Sequence, residues 1–141
     1  MRALFGLIAI VVLITILNSQ STDTPKATLT FERAGYFKSP TRDRIYTILV
    51  KSPVDEAAIV NHARGLQSTP GQMTAAYYYY IGDTVPRDGV TLASSVFEAN
   101  KVIFNMQGIS RPSYAYMRFR NGTDGLTPCY KLPEHELCRS N

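Results

Sequence analysis

From Arg44 to Lys51 the chain reads RIYTILVK, with apolar side chains on both alternating faces: Ile45 and Leu49 on one, Tyr46, Ile48 and Val50 on the other. A strand that is apolar on both sides belongs inside a sheet, so residues 44–51 are predicted as a central strand. The period then changes. Ala58, Ile59, Ala63 and Leu66 recur at helical spacing in SPVDEAAIVNHARGLQ, behind Ser52 as a cap, Pro53 at the first helical position, and Asp55 and Glu56 in the first turn. This predicts a helix over 53–66. Pro70-Gly71 breaks it, and TAAYYYYI over 74–81 returns to the period of a strand. A helix and a strand of these lengths each span about 20 Å, so the helix brings the chain back to the level where the first strand began. The two strands are therefore predicted to be parallel, joined by a right-handed crossover.

The four tyrosines 77–80 cannot form one patch, because side chains alternate along a strand. Tyr77 and Tyr79 share one face, which the parity of Ala75 and Ile81 assigns to the helix; Tyr78 and Tyr80 share the other. Beyond them, GDTVPRDG (82–89) reads as a loop and VTLASSVF (90–97) as extended, with a short helix as the alternative. KVIFNM (101–106) alternates as a half-buried strand. YAYMRFR, within a strand over 113–120, places Ala115, Met117 and Phe119 inward and Tyr114, Tyr116, Arg118 and Arg120 outward, and Asn121-Gly122 closes it as a turn. A short strand is expected near Phe31. The fold class is α+β: one mixed sheet containing a βαβ unit, a main helix on one face, and the other face at least partly exposed.

The amino terminus has a different pattern. Met1-Arg2 is followed by ALFGLIAIVVLITIL, 15 uncharged residues (3 to 17). As a helix this run covers about 22 Å of a hydrocarbon core about 30 Å thick. Residues 1–17 are thus expected to be a signal peptide or a signal anchor, with cleavage after Ser21 open, and 18–30 a flexible linker to a single domain over 31–141. Arg2 beside the apolar run implies export. The expected location is the cell envelope, either anchored to the cytoplasmic membrane through the N-terminal helix or secreted to the periplasm. The formal net charge is +4, too mild to imply nucleic acid.

The order of segments also resembles something known. A strand ending ILVKSP, the helix VDEAAIVNHARGL, the strand TAAYYYYIGD and the segment LASSVFEANKVIFNMQG are similar, over about residues 44–107, to a group of small exported or membrane-anchored bacterial proteins and domains of unknown function. The resemblance implies a fold and a location and carries over no catalytic residue.

Chemistry is sparse in this sequence. CYKLPEHELC places Cys129, His135 and Cys138 close together, which permits a zinc site or, in an oxidising compartment, a disulfide. Asp83 and Asp88 share a loop and stand as a carboxylate pair or as turn formers beside Gly82 and Gly89. His62 lies on the helix, and no serine or cysteine has an evident base. The richest feature is the outward stripe Tyr114, Tyr116, Arg118 and Arg120, whose aromatic and guanidinium groups suit an envelope protein or a glycan. The expected role is a non-catalytic binding module that needs no cofactor. The alternative is a small envelope enzyme or metal-binding protein using Asp83, Asp88, His135 and the cysteines.

Overall fold

The predicted strand–helix–strand unit forms the middle of the molecule. A computed structural model describes residues 30–139. Strand β1 (Phe31–Lys38) is followed by β2 (Arg44–Val50), helix α1 (Glu56–Gly65), β3 (Thr74–Tyr80), helices α2 (Asp88–Thr91) and α3 (Val96–Asn105), β4 (Tyr114–Arg118) and β5 (Asp124–Pro128). The five strands form one mixed sheet in chain order, β1-β2-β3-β4-β5. Strands β2 and β3 pair in parallel, as a helical crossover requires, and the other three pairings are antiparallel.

Helix α1 starts three residues later than its sequence signals suggest. Asp55, not Ser52, is the cap: its carboxylate accepts the Ala58 N–H at 2.7 Å while its own backbone is extended. Ile59 and Ala63 of α1 pack on Tyr46, Ile48, Val50, Ala76, Tyr78 and Tyr116. The face beneath α1 is therefore the one that carries Tyr78. Tyr77 and Tyr79 point the other way, among Ile45, Ala75, Ala115, Met117, Val90, Ala99 and Ile103. This reverses the assignment predicted from the parity of Ala75 and Ile81. Ala75 lies under α3, and Ile81, past the end of β3, is 68% exposed. With apolar groups on both faces, the alternation within a strand does not say which helix each face receives.

The expected open face is closed for the same reason. Residues 101–106 are not a strand: they continue α3, whose Ala99 and Ile103 are buried at helical spacing. The Ser95 hydroxyl caps α3 by accepting the Glu98 N–H at 3.1 Å, and the Glu98 carboxylate accepts the backbone N–H of Ser94 at 2.8 Å. Residues 90–97 are not extended either; Val90 sits in the one-turn α2 and is fully buried. Helices α2 and α3, together with the carboxy-terminal loop, thus cover the second face. That loop is closed by a Cys129–Cys138 disulfide, which takes the disulfide branch of the two sequence readings, and both cysteines are buried against the core. Closing a ten-residue loop stabilises the fold by about 2 to 3 kcal/mol in the chain-entropy model.

Strand β1 is longer than expected and carries a bulge between Arg33 and Gly35. Here the β3–α2 connection crosses the strand closely. The Thr47 hydroxyl donates to the Pro86 carbonyl at 2.6 Å, and a Cβ on Gly35 would lie 2.6 Å from Thr47 Oγ1 and 2.9 Å from the Arg87 carbonyl.

The membrane attachment and envelope location expected from the amino terminus are corrected. No helix among the described residues is long and apolar enough to cross a membrane. The longest helices, α1 and α3, have ten residues and span about 15 Å, half of a hydrocarbon core. Residues 1–17, on which that expectation rested, lie outside the described residues, as does all of the expected linker 18–30 but its last residue.

Candidate anion-binding site

At one end of the sheet, on the side of α1, the strand registers bring four residues into a row. Arg44 of β2 pairs with Thr74 of β3, Thr74 with Arg118 of β4, and Arg118 with Asp124 of β5. Adjacent strands lie about 4.8 Å apart, so the two arginines flank Thr74 with backbones about 10 Å from each other. The chain leaving α1 passes over this row. Arg118 Nη1 donates to the Ser68 hydroxyl at 2.6 Å, and Nη2 donates to the Arg64 carbonyl at 3.3 Å and the Tyr116 hydroxyl at 3.2 Å. Arg44 donates to the Thr69 hydroxyl, to the Tyr36 hydroxyl at 3.2 Å and to the Arg42 carbonyl at 3.3 Å.

Charge balance is the unusual part. Arg44 is only 4% exposed, and neither it nor Arg118 forms an ion pair with a carboxylate among the described residues. A buried cation without a counter-charge is costly. The two nearby acids are already engaged. Asp124 receives two hydrogen bonds from Arg64, at 2.8 and 3.0 Å, and one from Tyr116 at 2.7 Å; these, Arg64 first, hold its pKa down to about 2. Asp43 accepts the Met73 N–H at 2.8 Å and pairs with Arg120 at 2.9 Å. This end of the sheet thus gathers Arg42, Arg44, Arg64, Arg118 and Arg120 against Asp43 and Asp124. Between Arg44 and Arg118 in the strand register, Thr74 is 1% exposed and its hydroxyl has no hydrogen-bond partner among the described residues. A cavity of about 500 Å³ opens beside the row, with Arg64, Ser68, Arg118 and Phe119 in its walls.

The stripe expected to face solvent is divided. Tyr114 and Tyr116 are 7% and 0% exposed, because α1 covers the face on which they lie. Tyr114 meets Tyr130 edge-on at 5.5 Å. Arg118 belongs to the row; Arg120, beyond the end of β4, lies at its rim on Asp43. An open stacking surface of two tyrosines does not exist. The metal alternative is corrected as well: among the described residues no group of three His, Cys, Asp or Glu side chains is placed to hold a metal ion. Cys129 and Cys138 are bonded to each other, the Asp83 carboxylate accepts the Tyr80 N–H at 2.8 Å as a turn former, Asp88 opens α2, and His135 Nδ1 accepts the Leu137 N–H at 3.2 Å inside its own loop.

Sequence reasoning missed Arg44 and Thr74. Each stands at the first position of its strand and reads locally as a flank; only the register shows that they meet Arg118. The chain matches no family model, and no curated protein or solved structure matches it.

Proposed function

We propose that the protein recognises a small oxyanion, a phosphate or carboxylate group, in the cavity that Arg118 lines. The observation that carries this reading is the Arg118 guanidinium, which stands in the wall of that cavity and forms no ion pair with a carboxylate among the described residues. An oxyanion supplies the missing element, a negative charge that accepts from the guanidinium fork. Ser68 and Thr69 already accept from the arginines, which holds each guanidinium fork in place before a ligand arrives. The role proposed is recognition, because guanidinium and hydroxyl groups are the groups that bind an oxyanion.

The test is thermal denaturation with inorganic phosphate and with acetate, for the wild type and for Arg118→Gln. The wild type is expected to gain melting temperature with the anion, and the variant to lose most of that gain. Equal anion responses in the two proteins would refute the assignment.

A further inference from the structure

Given an oxyanion beside Arg118, we infer that it is the phosphate group of a small monoester whose aromatic organic part lies against Phe119; this rests on the reading above and specifies its ligand. The donors select the anion. Arg118 directs three of its five N–H groups to the Ser68 hydroxyl, the Arg64 carbonyl and the Tyr116 hydroxyl, which leaves two. Ser68 and Thr69 add one each. Both hydroxyls accept from a guanidinium group, Ser68 from Arg118 and Thr69 from Arg44, so each keeps its own hydrogen for another acceptor. Neither donates to an acceptor among the described residues. Both residues are half-buried and stand in the cavity wall with Arg118.

Donors from three side chains suit an acceptor with three oxygens. A carboxylate has two and accepts best in the plane of its own atoms, whereas the phosphate of a monoester presents three, set around the axis of its ester bond. The charges in the walls agree with this. Arg64 and Arg118 face Asp124, and Asp124 is held by Arg64 through two hydrogen bonds, so the charge of Arg118 is left for the ligand.

The space calls for a substituent on the phosphate. The cavity, about 500 Å³, falls within the range of pockets for organic ligands, about 300–1,000 Å³, and a bare phosphate leaves most of it empty. It lies between the α1–β3 connection, which contributes Ser68 to Gln72, and the β4–β5 turn, which contributes Phe119 and Gly122. Phe119 is 47% exposed and follows Arg118 directly in the chain. An aromatic ring on the ester oxygen can cover that exposed surface.

Phenyl phosphate, benzoate and methyl phosphate separate the two parts of the ligand, since the first shares its ring with the second and its anion with the third. In calorimetric titrations at neutral pH, phenyl phosphate is expected to bind the wild type roughly tenfold more tightly than either of the others. Ser68→Ala should bring phenyl phosphate and benzoate within about threefold of each other. Phe119→Ser, at an exposed position, should do the same for phenyl phosphate and methyl phosphate and leave the melting temperature of the free protein unchanged. Phenyl phosphate binding no more tightly than benzoate or methyl phosphate would overturn the aromatic monoester and leave an oxyanion site standing, as would a preference that survives its substitution. Binding of none of the three would overturn the oxyanion reading and the monoester together.

Discussion

The hydroxyl groups of β3 lie in similar apolar surroundings and have different fates. Tyr78 is fully buried beneath α1, and its hydroxyl meets His62 Nδ1 at 3.0 Å; Tyr79 is fully buried beneath α2 and α3, and its hydroxyl has no hydrogen-bond partner among the described residues. Removing a satisfied buried hydroxyl costs about 1 kcal/mol, whereas removing an unsatisfied one relieves a desolvation penalty. Tyr78→Phe is therefore expected to lower stability in urea denaturation by about 1 kcal/mol, and Tyr79→Phe to leave it unchanged or raise it. His62 adds a pH dependence. It stacks on Phe31 at 4.1 Å, and burial lowers its pKa below the ordinary imidazole value. The folded state thus prefers the neutral ring. Its contribution is complete above the unfolded pKa of about 6.5 and is lost as pH falls through and below that value. In His62→Gln, the dependence of the urea midpoint on pH between about 7 and 5 should flatten.

Among elements, those with one unambiguous period were legible in the sequence. Strands β2 and β3 announced themselves by apolar groups on both faces, α1 by its spacing and acidic first turn, and β4 by strict alternation. Residues 101–106 satisfied both periods, since Val102, Phe104 and Met106 alternate while Ala99 and Ile103 stand four apart. The tie is broken by the Ser95 to Glu98 cap, a signal present in the sequence that outweighs six residues of alternation. Strand β5 had no such signal, because Gly125 and Pro128 are poor strand formers tolerated only at an edge. The candidate site was half legible: Arg118 could be singled out, but its companions depend on pairings between strands distant in sequence. Gly35 belongs to this scale too, as the point where β1, β2 and the β3–α2 connection touch. A methyl group there has backbone on one side and the Thr47 hydroxyl on the other. Gly35→Ala is expected to cost about 3 kcal/mol, the upper end of overpacking, with a lower urea midpoint as the readout.

For the whole molecule, the sheet is the partition and β3 its centre. Thr74 and Met73, neighbours in sequence, contribute to opposite sides: Thr74 to the arginine row, Met73 to the core beneath α3. The order of the strands in space is also their order along the chain, and the two edges are the first and last strands. Either edge can therefore peel away without parting any strands nearer the centre, and the last pairings to break are those of β3 with β2 and β4. Opening of this kind is visible as amide hydrogen exchange. Protection should rise from β5 inward and from β1 inward to a maximum at the amides of Tyr77 to Tyr79, with exchange there following global unfolding. Amides of β3 exchanging as fast as those of β5 would mean that the sheet opens as one body. If the gradient holds, the four tyrosines mark the part of the chain that loses its structure last.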